Sequence, residues 1–425
     1  MLYVLNLISW FWPALFFSGA KRATYIFSAF LFSQSYYFQP MIYNIFGLEY
    51  SAPAVSGNLI EMLYLSVGAG LSYSIIFFFF AARGKASVTV FLGPGFNRLF
   101  DVIPRFSPVI FVCVFLAAYL IYNVALLIPY IGTMDRYQWW YGGPRNEFVF
   151  AIQLLNYLVP LSMVVLYKSF DSNYFFTLLV NILLATLMVF FISFDGSRRE
   201  IVLTILALLV CAIRSYQVGQ KRYFFIYSFF LILVLLFVFY VGSSRSIVGW
   251  YAAINFIKVD FSAFFLGAFA PMPTLHVTGA MIDYVNEFGY QGVGSYLAAV
   301  VNTLFPHFIM GFYVAGAPLV SRLHEELGWV GFDFGFMAEA VYVGGAWAVI
   351  IMHSILSMYH ALLYNSVFRK SGLLGFLLLA FYHVALIQAL RSDLMNLLKY
   401  ALYPAISILL FFFILRMLKS LLAKS

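Results

Sequence analysis

Apolar runs of about 20 residues follow one another along most of the chain, each closed by a short polar or basic stretch. At ~1.5 Å per residue, a helix of that length matches the thickness of bilayer hydrocarbon. The runs predict helices over about 3–20, 24–47, 59–82, 107–128, 148–167, 174–193, 200–216, 223–242, 334–366, 372–390 and 400–417, roughly eleven spans. A transmembrane barrel would instead show ~10-residue alternating segments. Pro40 predicts a kink in the second span. The run at 334–366 exceeds a bilayer thickness, which predicts a helix that tilts or continues beyond the membrane.

One long interval breaks the pattern. Ser243 to Asp333 holds Arg245, Lys258, Asp260, His276, Asp283, Glu287, His307, Arg322, His324, Glu325 and Glu326. Its segments 261–282 and 295–316 are apolar enough to enter a membrane. Crossing would carry Asp283 and Glu287 to the basic side, so amphipathic or re-entrant helices are expected there. The fold expected is all-α: one polytopic membrane domain over 1–425, with 243–333 as an outer loop region.

Composition agrees with the pattern. Hydrophobic residues make up 64% of the chain and charged ones 9%, against roughly 25% charged in soluble domains. The first apolar stretch precedes Lys21 and Arg22 rather than following a basic segment, so a retained first helix with its N-terminus outside is expected. Alternation from that start puts 15 of the 24 Lys and Arg on the cytoplasmic side, with only Asp101 and Asp171 of the 16 acids. The opposite orientation would reverse the positive-inside bias. The net charge of +8 is thus accounted for by topology, and no nucleic-acid partner is implied. Cys113 and Cys211 each lie in an apolar run and read as small core residues.

The outer basic residues are mostly arginine: Arg136, Arg145, Arg198, Arg199, Arg245, Arg322 and Arg391, with Lys258 and Lys399. Arginine's planar fork grips phosphate bidentately, whereas lysine is a point charge. Arg198 and Arg199, Arg245 and Arg391 stand where apolar helices reach the outer face, so three helix ends could bring guanidinium groups to one pyrophosphate. Their plainer roles are snorkelling to lipid headgroups or pairing with Asp195, Glu200 and Asp393. His276 and His324, in polar outer segments, are candidate general bases; His353, His360 and His383 lie within spans, where a histidine is ordinarily a hydrogen-bonded core residue. Glu339 opens a helix near the outer surface inside a glycine-spaced frame; its plainer role is a carboxylate favoured by the helix dipole. No HExxH motif, Cys/His cluster or DxD pair occurs, so neither a bound metal nor a cofactor is expected.

Together these features resemble the bacterial O-antigen (Wzy-type) or oligosaccharide repeat-unit polymerase family. The likeness rests on many spans, a large outer loop late in the chain and scattered outer arginines. Locally it rests on Gly331-x-x-x-Gly335-Phe-x-Ala-Glu339-x-x-Tyr342-x-Gly-Gly345, on Gly196-Ser-Arg198 and on Arg391-Ser-Asp393. The resemblance implies a GT-C-like fold in the inner membrane, facing the periplasm, and a metal-independent inverting glycosyltransferase. Its donor would be a chain on undecaprenyl pyrophosphate and its acceptor a lipid-linked repeat unit, in O-antigen and lipopolysaccharide biosynthesis. By the same resemblance Arg198, Arg199, Arg245 and Arg391 would hold pyrophosphate, Arg322, Arg136 and Arg145 would contact substrate, and His276, Glu339 or His324 would take the hydroxyl proton. Membrane lipids and a chain-length regulator protein are the other partners implied. Two rivals stand beside it: an O-antigen ligase that transfers the glycan to lipid A core, and a flippase for the same glycolipid, which would call for ionisable residues deep in the spans.

Overall fold

The computed structural model describes residues 1–33, 59–83, 174–195, 219–243, 274–305 and 335–368. It also describes isolated positions 36, 117, 120–121, 124–125, 128–130, 204–205, 208–209, 211–212, 215, 386 and 398. Every regular element among the described residues is helical. The chain divides into two compact units, Met1–Pro94 with Ala270–Leu402, and Gly95–Phe269 with Tyr403–Ser425.

In the first unit the main helices are α1 (Leu2–Phe11), α2 (Gly19–Ser33) and α3 (Leu59–Arg83). The expected first helix over 3–20 is not continuous. It ends at Phe11, and a 3-10 turn over Trp12–Leu15 follows. Pro13 lacks an amide hydrogen to extend the α ladder, which accounts for the change. α2 then starts at Gly19, inside the stretch assigned to the first span. The apolar stretch Leu2–Leu15 is accordingly shorter than a full crossing.

α3 shows how the unit is solvated. Its buried stripe is Met62, Leu63, Ser66, Ala69, Tyr73, Ser74 and Phe77, at helical spacing, while Ile60, Tyr64, Leu71, Ile75 and Phe79 face outward. Ser66 and Ser74 therefore lie inside while Ile60, Leu71, Ile75 and Phe79 lie outside. α1 packs closely against this stripe: a β-carbon at Gly70 would meet Ser9 Oγ and stand 2.8 Å from Trp10 Nε1. Asn6 Nδ2 donates to Ser66 Oγ at 2.9 Å, Trp10 Nε1 donates to Asn6 Oδ1 at 3.1 Å, and Ser74 Oγ donates to the Ser9 carbonyl at 2.6 Å. The first and last of these bonds join α1 to α3.

The last helix of the unit described, α8 (Phe336–Phe368), differs from both forms expected for 334–366. It neither tilts as one rod nor runs on straight. Gly344 (φ −166°, ψ 25°) and Gly345 (φ 63°, ψ −148°) break it into limbs 336–343 and 346–368. The limbs fold back on each other: the Phe336 ring stands 5.4 Å from that of His353. A straight helix would separate those residues by about 25 Å. The second limb pairs with α3, Ser357 Oγ donating to the Tyr73 carbonyl and Asn365 Nδ2 to the Phe80 carbonyl. Partners advance together along both helices, so they are parallel. α2 runs the other way, with Ser28 beside His360 and Tyr36 beside His353.

α6 (Thr274–Phe288) packs against α8, and α7 (Gly294–Leu304) follows after a short loop. α6 overlaps the end of the segment 261–282 and α7 the start of 295–316, the two expected as amphipathic or re-entrant. In the second unit, α4 (Tyr174–Asp195) and α5 (Lys221–Ser243) pack together, with Asn181 Nδ2 donating to Tyr227 Oη at 3.2 Å. Cys211 is buried there with a free thiol, as its apolar setting implied. Among the described residues two helices, Ile60–Ala82 and Phe336–Asn365, are long and apolar enough to cross a membrane. In the second of these, the limb from 346 onward still has the length for a crossing.

Candidate functional site

The fold-back of α8 creates the most unusual chemical setting among the described residues. Gly335, at φ 79°, leads into the first limb. The limb itself, from Phe336 to Val343, is buried throughout. Glu339 sits in its first turn, where the exposed amides of a helix start favour a carboxylate. The residue is only 2% exposed. Burial of an ionisable group at that level is costly unless it is paired or used.

α7 supplies Tyr296, whose hydroxyl is buried and has no hydrogen-bond partner among the described residues. Burial pushes the phenol's pKa well up, and the charge of Glu339 raises it further. Tyr296 thus keeps its proton and is a donor at any physiological pH. A phenolic donor and a carboxylate acceptor are brought into one electrostatic neighbourhood.

The tip of the hairpin is tied down by the loop between α6 and α7. Breaking the helix frees the carbonyls of Tyr342 and Val343, and the amides of Gln291 and Gly292 donate to them, each at 3.0 Å. Gly292 (φ 76°) permits the loop to present consecutive amides in this way. Tyr290 lies over Gly345, where a β-carbon would stand 3.0 Å from its hydroxyl.

At the other end of the fold-back, His353 is enclosed by the rings of Phe336, Phe32, Tyr36 and Trp10, at centroid distances of 5.4 to 6.2 Å. Its Nδ1 donates to the Val349 carbonyl at 2.7 Å, which leaves Nε2 as a buried acceptor. His360, one further segment along, is satisfied at both nitrogens, by Tyr73 Oη and by Ser28 Oγ at 3.1 Å. The expectation of hydrogen-bonded core histidines is met at both positions.

Of the residues proposed from sequence, Glu339 is the one described in full. His276 lies in the first turn of α6, and its side chain is outside the described residues. His324, Arg322, Arg136, Arg145, Arg198, Arg199, Arg245 and Arg391 also lie outside the described residues. Tyr296 and His353 were not singled out as functional. The signal that could have found the site is Gly344-Gly345, a breaker pair inside a long apolar run.

No protein-family model, curated protein or solved structure matches this chain.

Proposed function

We propose that the chain is an integral-membrane glycosyltransferase that polymerises lipid-linked oligosaccharide repeat units. Glu339 is the base that takes the proton of the acceptor hydroxyl. The observation that carries this reading is the Glu339 carboxylate, buried on a folded-back limb and within electrostatic reach of the Tyr296 phenol. A carboxylate held rigidly away from water is suited to proton abstraction.

In this reading the acceptor oxygen attacks the anomeric carbon from the face opposite the leaving group. The bond from that carbon to the pyrophosphate oxygen breaks, the configuration inverts, and the proton passes to Glu339. The lipid pyrophosphate departs with the bonding electrons. Arg198, Arg199, Arg245 and Arg391 are assigned to it, because guanidinium groups stabilise departing phosphate oxygens without a metal.

The membrane setting has its own support. α3 turns Ile60, Leu71, Ile75 and Phe79 outward while Ser66 and Ser74 are buried, and Trp347, beside the hairpin tip, is 76% exposed, as suits an aromatic residue at a lipid–water boundary. The parallel course of α3 and the second limb of α8, with α2 opposed, agrees with the alternation derived from the charge bias. We assign the chain about eleven spans in a bacterial inner membrane, with the N-terminus and the chemistry on the periplasmic side.

One observation favours a second reading. A buried acid on a broken helix is also what a transporter uses to bind a coupling ion or substrate, so a flippase for the same glycolipid stays in play. Purified protein in proteoliposomes, supplied with lipid-linked repeat units extracted from the source cells, separates the two. The polymerase reading expects a ladder of elongated glycans, lost in Glu339→Gln at unchanged protein abundance. Movement of the units across the bilayer without any ladder would install the flippase reading instead.

A further inference from the structure

We infer that Tyr296 and Glu339 form a hydroxyl-binding site for the acceptor glycan, the phenol donating to the hydroxyl oxygen while the carboxylate accepts its proton. This rests on the polymerase reading above and adds a second group to its site.

The argument starts from complementarity. A sugar hydroxyl has one donor and two acceptor positions. Glu339 as a carboxylate only accepts, and Tyr296, held protonated, offers a donor. The two groups therefore present what one hydroxyl needs. The phenolic oxygen is buried and has no hydrogen-bond partner among the described residues. A buried donor in that state has its bonding capacity to offer to a ligand's oxygen. The surroundings are built to keep the pair in place. Glu339 stands on a limb whose far end is bonded to the loop by the Gln291 and Gly292 amides. Tyr296 lies in the first turn of the helix that leaves that same loop, where its amide donates to the Val293 carbonyl at 3.1 Å. One short loop, 289–293, thus positions both members.

A bound hydroxyl between them would lie with its O–H directed at the carboxylate and a lone pair directed at the anomeric carbon. No proton has to leave Tyr296. The phenol orients the nucleophile, and the carboxylate receives the proton as the new glycosidic bond forms.

The test uses the full-length protein in proteoliposomes, with lipid-linked repeat units as acceptor and preformed lipid-linked chains as donor, each varied in turn. Tyr296→Phe removes one oxygen from a half-buried ring, so folding should survive; a monodisperse detergent peak checks this. The inference expects KM for the acceptor to rise about tenfold, the worth of one ordinary hydrogen bond, with KM for the donor unchanged. Equal changes in both constants, or a fall in kcat alone, would mean a structural role or a bound water, and would overturn it. Wild-type kinetics in Tyr296→Phe with a dead Glu339→Gln would remove this inference and leave the polymerase reading standing. Full elongation by Glu339→Gln would remove the reading beneath it.

Discussion

The two adjacent glycines at the hairpin tip have opposite requirements, and substituting each by alanine measures the fold-back directly. Gly345 has φ 63° and ψ −148°, a region that is essentially glycine-only and costs of order 1–3 kcal/mol for a residue held in it. Its added β-carbon would also stand 3.0 to 3.2 Å from the Tyr290 ring. Tyr290 is 59% exposed and can swing aside, so most of the penalty is backbone strain. Against this, alanine loses less unfolded-state entropy than glycine, worth about 0.4–1 kcal/mol. Gly345→Ala should therefore destabilise by about 1–2 kcal/mol. At Gly344 the backbone has φ −166°, extended and open to any residue, and the new β-carbon would stand 3.3 Å from that of Ala348. Gly344→Ala should cost less than about 1 kcal/mol, since only a few tenths of an ångström must be absorbed. The assay is equilibrium unfolding of detergent-solubilised protein, with both variants and Gly345→Ala/Tyr290→Ala in parallel. The double variant should recover little. If Gly344→Ala proved as damaging as Gly345→Ala, or the double variant restored full stability, the glycine requirement at position 345 would be refuted.

Three further outcomes are expected. Gly70→Ala should destabilise by about 1–3 kcal/mol, because its β-carbon is aimed at Ser9 and at Trp10 Nε1; the same unfolding assay reads it, and an unaffected midpoint would refute the α1–α3 approach. Tyr73→Phe and Ser28→Ala each leave one His360 nitrogen without its bond, at about 1–3 kcal/mol apiece. Sharing one imidazole, their effects should fail to add in a double-mutant cycle; strict additivity would show that the bonds are independent. Arg198→Ala, Arg245→Ala and Arg391→Ala should each abolish the glycan ladder at normal abundance, and full activity in all three would dismiss the pyrophosphate assignment.

Much of the helical layout could be read directly from residue order. The runs at 59–82, 174–193 and 223–242 became α3, α4 and α5, because about 20 successive apolar residues are stable only as helix where the backbone must satisfy itself. Glu339 was also recognisable as a carboxylate opening a helix. Pro13, which divides the first helix, was visible but outweighed by the apolar run around it.

What residue order did not determine was direction and partner. A straight 33-residue helix and a hairpin of the same residues have identical composition, so the apolar run at 334–366 carries no record of where it turns back. The turn was decided by two glycine conformations together with amides from Gln291 and Gly292, some fifty positions upstream, which take up the carbonyls that the break releases. The burial of Glu339 followed from that turn. So did its electrostatic influence on Tyr296, which lies on another helix. The α3 pattern was concealed for a related reason: both faces of the helix are largely apolar, so periodicity cannot say which one meets α1 and α8. Helix formation is a local choice between a chain and its solvent, whereas a site forms where separate segments meet, and only the folded contacts determine that.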